Sequence, residues 1–299
     1  MTYSEQNRFA DCRLCTLYSG SDGNSTYISG GGTSLLIDAG KSARALTNAL
    51  KSVGAFPENP EKPPVDAIFI THEHTDHISA LAVFLKKYPI PVHVTEQSAE
   101  KLYRLFKDAP ICDCIHTHTP LYTVEVGNMK VRSFPTSHDS RMSVGYRIEI
   151  EGEDTRHVFG YATDLGIVTP SVRDALLGCE AVVLESNHDP DMLLDGPYPF
   201  DLKMRIRSRL GHLSNPDAAA FAATLAASGT SHFLLAHLSK ENNMPFLAYG
   251  ETFSAIADES VVIRVAAPDA VTDLFSEETE EPFRAYTDPL RSMGGTPLC

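Results

Sequence analysis

A chain of 299 residues with 42% apolar content has room for a sizeable core, as one large α/β domain or two small ones. No run of about 18 apolar residues occurs, which excludes a membrane-spanning helix. A net charge of −14 excludes a general polyanion binder, yet the charge is uneven: nine acids face three bases from Asp258 onward, whereas Lys203, Arg205, Arg207 and Arg209 place four bases in seven residues.

The first residues, Met1 to Arg8, lack the basic-then-apolar build of a signal peptide, and a cytoplasmic location is expected. The six cysteines (Cys12, Cys15, Cys112, Cys114, Cys179 and Cys299) then read as reduced thiols. Residues 1–11 read as a flexible arm. A strand is expected at 14–18, followed by a turn-forming cluster, Ser19-Gly20-Ser21-Asp22-Gly23-Asn24-Ser25. Strands at 26–29 and 34–38 flank Gly30-Gly31-Gly32 as a hairpin, and Ser42 caps a helix running to about Val53. Four prolines in 56–64 mark a surface loop.

The apolar run Ala67-Ile68-Phe69-Ile70 predicts a buried strand, and Ile78, Leu81, Ala82 and Leu85 recur at helical spacing. Between them lies Thr71-His72-Glu73-His74-Thr75-Asp76-His77, in which His72, His74, Asp76 and His77 are four metal-ligand side chains within six residues. A strand end holds such a loop rigid, and ligands on alternate residues can converge on one ion. Imidazole with carboxylate suits zinc, manganese or iron.

A strand at 92–95 and a helix at 98–106 follow, then strands at 121–126, 129–134, 143–150 and 156–161. Pro170 starts a helix, 181–185 is a buried strand, and helical stretches lie near 190–195 and 200–209. Asn215 is expected to cap a helix with Pro216 in its first turn. A strand at 232–236, a helix at 245–257 and a last strand at 261–265 complete a domain over 12–265, with an acidic tail over 266–299. Four apolar strands deliver an acid or a histidine at or beyond their C-terminal ends: His138, Asp164, the run Glu185-Ser186-Asn187-His188, and His237. A site built on sheets needs its polar residues at such positions.

The pattern His-x-His-x-Asp-His, then a lone His, a lone Asp and a late His, resembles the metallo-β-lactamase fold hydrolases over roughly residues 12–265. The Ser19–Ser25 loop, Thr163-Asp164-Leu165-Gly166, Glu185-Ser186-Asn187-His188-Asp189, Gly211-His212-Leu213-Ser214-Asn215 and Ala236-His237-Leu238-Ser239-Lys240 are similar to the YycJ/WalJ-like subgroup. The resemblance implies a four-layer αββα sandwich with a dinuclear site at one edge. It implies that His72, His74 and His138 hold one divalent ion, that Asp76, His77 and His237 hold another, and that Asp164 bridges them. Zinc is the expected metal, with manganese or iron as alternatives. The implied activity is phosphodiester hydrolysis by a hydroxide shared between the ions, with exonucleolytic action on DNA.

Asp164 is expected to keep the ions close, Asp76 to orient the proton of the nucleophile, and His188 or His212 to protonate the leaving oxygen. Arg205, Arg207 and Asn187 are expected to contact the substrate. A hydrolase of small cyclic phosphodiesters, thioesters or lactones would use the same ions. A metal-binding regulatory scaffold would not need all seven ligands.

Overall fold

Short β-branched and aromatic runs that are buried on both faces become strands, and here they form two seven-stranded sheets. The computed structural model of the chain describes residues 8–107, 112–153 and 155–276. In the first sheet β1 (Cys12–Tyr18), β2 (Ser25–Gly30) and β3 (Thr33–Ile37) run antiparallel. Parallel strands β4 (Ala67–Phe69), β5 (Val92–Thr95) and β6 (Ile115–His118) extend it. The second sheet begins with antiparallel β7 (Thr123–Val126), β8 (Met129–Pro135), β9 (Val144–Glu151) and β10 (Arg156–Ala162). It continues with parallel β11 (Ala181–Glu185), β12 (His232–Ala236) and β13 (Val262–Val265). A short last strand, β14 (Thr272–Asp273), returns to pair with β1.

Successive side chains point to opposite faces of a strand, and this alternation sorts the core into three parts. Leu35, Ile37 and Phe69 of the first sheet meet Tyr146, Ile148, Val183 and Leu234 of the second between the sheets. On the outer face of the first sheet, Leu36, Ile68 and Val92 pack against α1 (Ala43–Ser52), α2 (Thr75–Ile78), α3 (Leu81–Lys87) and α4 (Glu96–Leu105). The second sheet turns Val182, Leu184, Phe233 and Leu235 outward against helices of its own. Its helices are α5 (Pro170–Leu176), α8 (Asn215–Ala227) and α9 (Pro245–Ile256), while α6 (Pro190–Asp195) and α7 (Phe200–Ile206) lie in the connection between β11 and α8. The result is the expected four-layer αββα sandwich. No helix among the described residues is long and apolar enough to cross a membrane.

Two local expectations are corrected. The cap of α8 is Ser214, whose side chain accepts from Asp217 N. Asn215 instead turns its buried amide inward, to Ser186 Oγ and Asn243. The boundaries at 12 and 265 cut through packed structure. Phe9 is 6% exposed and stacks on Phe275 at 4.3 Å, and Leu274 is buried behind β14. Aromatic and apolar residues within the acidic stretch draw it into the fold as far as Ser276, while 1–7 and 277–299 lie outside the described residues. Cys12, Cys15, Cys114 and Cys179 are free thiols, and Cys299 and the Cys112 side chain lie outside the described residues.

The packing has a consequence for acid stability. Burial, helped by cationic neighbours, lowers His188 and His232 from 6.5 to about 4. Between those values the unfolded chain takes up protons that the folded chain refuses. The stability these two residues contribute is therefore full above pH 6.5 and is lost as the pH falls toward 4. After allowance for partial solvent access each residue accounts for about 2 kcal/mol of that loss. Denaturant unfolding at pH 7 and pH 4.5 should show it. His232→Phe, placed between Phe9 and Phe275, should make the loss smaller, and an unchanged loss would exclude His232 as a source.

Candidate metal centre

The polar residues at strand ends meet at one edge of the sandwich. Asp38 follows β3, Thr71 and His72 follow β4, His138 follows β8, and Asp164 follows β10. Glu185 ends β11 and His237 follows β12. Three of these take left-handed backbone conformations without being glycine: Asp38 at φ 60, Asp164 at φ 56 and His237 at φ 58. Such residues cost on the order of 1 kcal/mol or more each and cluster where function constrains the chain. The sharp turns swing each side chain back over the sheet edge. Gly40 lets the histidine loop pack tightly, since a Cβ there would lie 2.0 Å from Asp76 O and 2.4 Å from Asn24 N.

Hydrogen bonds to the far side of each ring set which nitrogen faces the centre. His77 Nδ1 is 2.8 Å from Asp38 Oδ2, and His138 Nδ1 is 3.1 Å from Gly211 O, so both rings carry a proton on Nδ1. Thr71 Oγ1 donates to Asp38 and so accepts from His72 Nδ1, at 3.0 Å. Glu185 Oε1 accepts from His237 Nδ1 and His212 Nδ1, each at 2.8 Å. Its other oxygen accepts from the backbone N–H of Leu165 and Leu213, each at 3.0 Å. The Nε2 atoms of His72, His77, His138, His212 and His237 are thereby left as the free nitrogens of their rings.

Several of these nitrogens crowd together. His72 Nε2 lies 2.9 Å and His138 Nε2 3.4 Å from His74 Nδ1. Facing lone pairs repel unless a proton or a cation sits among them. The donor atoms of His72, His74 and His138 lie within 4.8 Å of one another, as do those of Asp76, His77 and His237. Asp164 stands between the trios, with Oδ2 3.5 Å from His77 Nε2 and Oδ1 3.7 Å from His138 Nε2. Asp164 Oδ2 and His237 Nε2 are both buried without a hydrogen-bond partner. Orphaned donors, preset tautomers and two carboxylates make a set that divalent ions fit.

Burial alone would strip the proton from His237, but Asp164, Asp76 and Glu185 raise it to about 10. Burial opposes ionisation of Glu185 too, and the His212 and His237 rings bring it down to about 2.

The other expected site residues divide. His212 lies beside the centre, its ring 5.0 Å from that of His138 and 5.1 Å from that of His237, and its side chain is 21% exposed. His188 is in neither trio, is 2% exposed, and bridges by its backbone to Ser214. Asn187 is buried and donates to His237 O at 2.8 Å, so its amide holds the strand end. Arg205 pairs with Asp139, the neighbour of His138. Arg207 is exposed, Lys203 donates to Leu194 O at 2.6 Å, and the exposed Arg209 uses its carbonyl to accept from Ser137 Oγ.

Four residues were missed as functional candidates: Asp38, Glu185, Asn24 and Glu73. Asp38 and Glu185 sit at strand ends, the same signal that marked Asp164. Asn24, in the Ser19–Ser25 loop, donates to Asp76 Oδ2 at 3.1 Å. Glu73 reads as a spacer in sequence, yet it is 4% exposed. It accepts from Arg141 N at 3.0 Å and Ser98 Oγ at 2.7 Å, anchoring the loop after His138.

An αββα sandwich with four candidate ligands just beyond its strand ends (His72, His138, Asp164 and His237) and a His-x-His-x-Asp-His loop defines a metal-dependent hydrolase. The chain belongs to the beta-lactamase superfamily, whose domain model, "Beta-lactamase superfamily domain", matches residues 33–238. It is 37% identical over 232 residues to Exodeoxyribonuclease YycJ of Bacillus anthracis, covering 78% of this chain and 84% of that one. It is 32% identical over 269 residues to Exodeoxyribonuclease WalJ of Streptococcus pneumoniae D39, covering 86% and 95%. Among solved structures, the metallo-beta-lactamase fold protein YhfI from Bacillus subtilis superposes with a TM-score of 0.64 at 18% identity, over 88% of this chain and 99% of that one.

Proposed function

We propose that this chain is a dinuclear metal phosphodiesterase that degrades DNA exonucleolytically. The observation that carries this reading is the set of imidazoles whose outer nitrogens are hydrogen-bonded and whose inner nitrogens face Asp76 and Asp164. The relatives named exodeoxyribonuclease support the choice of DNA.

In this reading His72, His74 and His138 would hold one ion, Asp76, His77 and His237 would hold the second, and Asp164, whose carboxylate lies between the trios, would serve both. When bound, the two ions supply Lewis acidity, which activates water near neutral pH and neutralises charge on a phosphoryl group. Zinc is our choice of metal, and manganese or iron would fit the same donors. The remaining steps fall to the chain itself. Asp76, held by Asn24, orients the proton of the attacking water. His212 holds its Nδ1 proton against the Glu185 carboxylate, and a second proton taken up on Nε2 is the one it passes to the leaving oxygen. His188, neutral and enclosed, shapes the fold behind it. Asp139 fixes the Arg205 guanidinium next to His138, where it meets a phosphate, and Arg207 adds a second cation from the surface. We place the protein in the cytoplasm, which a fluorescent fusion would test.

The test is purified protein with zinc, and separately with manganese, on 5′-labelled single- and double-stranded DNA, beside bis-p-nitrophenyl phosphate. Release of nucleotides from DNA is expected. Cleavage of the small diester alone would favour a small-molecule hydrolase, and no cleavage of either would favour a regulatory scaffold. Arg205→Ala with Arg207→Ala should raise KM for DNA roughly tenfold, as loss of two phosphate contacts does, with little change for the small diester. An equal change in both would make the two arginines structural.

A further inference from the structure

Two stretches of the chain, 39–57 and 77–95, carry five bases and no acid, on a molecule with 39 acids and a net charge of −14. The fold lays both on one face. The first stretch holds α1 and the second holds α3, and the two helices are neighbours on the outer side of the first sheet. Leu46, Ala49 and Leu50 of α1 and Leu81, Phe84 and Leu85 of α3 are buried. The helical period therefore turns Arg44, Asn48 and Lys51 outward on α1, and Val83, Lys86 and Lys87 outward on α3, and all six are exposed. A groove of about 290 Å³ runs between the helices, lined by Arg44, Thr47, Asn48, Val83, Lys87 and Tyr88.

Around the metal centre, exposed bases are neutralised by acids. Lys41 pairs with Asp269, Lys240 with Asp22 and Arg205 with Asp139. Arg44, Lys51, Lys86 and Lys87 pair with no acid among the described residues. Lys51 and Lys87 lie over the rings of Phe56 and Tyr88, at 5.8 Å and 5.0 Å, contacts that leave their charge in place. Four uncompensated cations on one face give an acidic molecule a local positive field, and the acidic remainder of the surface repels a polyanion from other routes.

The face starts at the metal centre. Ala39 N donates to His77 O at 2.7 Å, Gly40 N to Asn24 O at 2.9 Å and Ala80 N to Ala39 O at 2.9 Å, so both helices begin against the histidine loop and run away from it. This is the side of Asp76 and His77, whereas Arg205 lies on the side of His138. The ten residues of α1 span about 15 Å, the length of four or five phosphates at about 3.4 Å per base step. Val83, 65% exposed, and Tyr88 add apolar area for sugars between the cations.

We propose that the α1–α3 face holds the phosphate backbone of DNA beyond the point of cleavage, as a binding surface separate from the metal centre and independent of metal. The proposal takes its choice of DNA from the nuclease reading above and adds a dependence on length. A strand long enough to reach the face is held there while its end is cut, and a short one is not.

The test combines Arg44→Ala, Lys51→Ala, Lys86→Ala and Lys87→Ala. The four side chains are exposed and alanine favours helix, so the fold survives, which melting temperature and metal content check. Binding to labelled single-stranded DNA of about 6 and about 40 nucleotides is measured by fluorescence anisotropy in EDTA, between roughly 50 and 200 mM salt. For the longer strand the expected result is at least a tenfold rise in Kd, with a plot of log K against log salt shallower by about 2 to 3, from four contacts at about 0.7 each. For the shorter strand the change should stay below twofold, and kcat/KM on bis-p-nitrophenyl phosphate with metal restored should not change. Equal affinity of variant and wild type for the longer strand would overturn the assignment. Equal losses on both lengths would overturn it too, since they would place the four bases at the centre. So would a variant that loses binding to phosphatidylglycerol vesicles and keeps its binding to DNA, which would give the face to a membrane surface. The nuclease reading fails separately. DNA held through this face and never cleaved would sink that reading and leave the surface standing, whereas cleavage by a variant that binds the longer strand as tightly as wild type would sink the surface alone.

Discussion

Asp164→Asn should abolish hydrolysis of DNA and of bis-p-nitrophenyl phosphate alike, while the protein stays folded. Asparagine tolerates the left-handed backbone that Asp164 adopts at φ 56, so the turn after β10 survives. What is lost is charge between the two trios. Asp164 faces His77 through Oδ2 and His138 through Oδ1, at 3.5 Å and 3.7 Å, and it is 2% exposed. A buried carboxylate placed to serve both ions is worth several kcal/mol to their binding and to the charge they neutralise. A loss of about 4 kcal/mol corresponds to roughly a thousandfold in rate. Metal analysis should show fewer than two ions per chain at a concentration that saturates the wild type. Full activity with two ions bound would remove Asp164 from the centre. Asp164→Ala should be worse in one further respect, since alanine is strained at that φ and the turn loses about 1 kcal/mol.

Much of the fold was legible because buried strands in this chain are unbroken apolar runs. Ala181-Val182-Val183-Leu184 and Phe233-Leu234-Leu235-Ala236 are short enough to read as strands enclosed on both faces, and such strands require two covering layers. Helix caps were harder to read. Ser214 and Asn215 are both good caps by chemistry, and the choice between them depends on which side chain the interior needs. Asn215 is drawn inward by Ser186 and Asn243, which are distant in sequence. The tail was hidden for a similar reason. Its composition is acidic, and the rings that hold Phe275, those of Phe9, Phe159 and His232, are distant in sequence.

At the site, dense local patterns were readable and long-range partners were not. His72, His74, Asp76 and His77 announce themselves by spacing. Glu73 stands among them and looks idle, because its partners Ser98 and Arg141 lie 25 and 68 residues away. Arg205 and Arg207 looked alike in sequence. Both are exposed, and Asp139 separates them by pairing with the Arg205 guanidinium alone. His188 and His212 looked alike too, until burial closed off one ring and left the other partly open.

The second large effect is expected at Glu185, a residue with no place in either ligand trio. Its carboxylate accepts four hydrogen bonds, two from backbone N–H groups and two from imidazole Nδ1 atoms, at full burial. Glu185→Gln keeps the shape but replaces one acceptor oxygen by an NH2 group. Whichever way the amide turns, two donors then face a donor. Each orphaned donor costs about 1–3 kcal/mol, so the melting temperature should fall. If the NH2 group faces the rings, His237 and His212 lose the bond that fixes their tautomer. Loss of such a support for a metal-binding histidine lowers metal affinity or activity by about 10- to 100-fold. The readout that separates positioning from mere stability is coupling to His212. If Glu185 acts by holding that ring as proton donor, Glu185→Gln should cost much less activity in a His212→Ala background than in the wild type. Additive losses in the double variant, or wild-type turnover in Glu185→Gln, would show that Glu185 only fills the core at the end of β11.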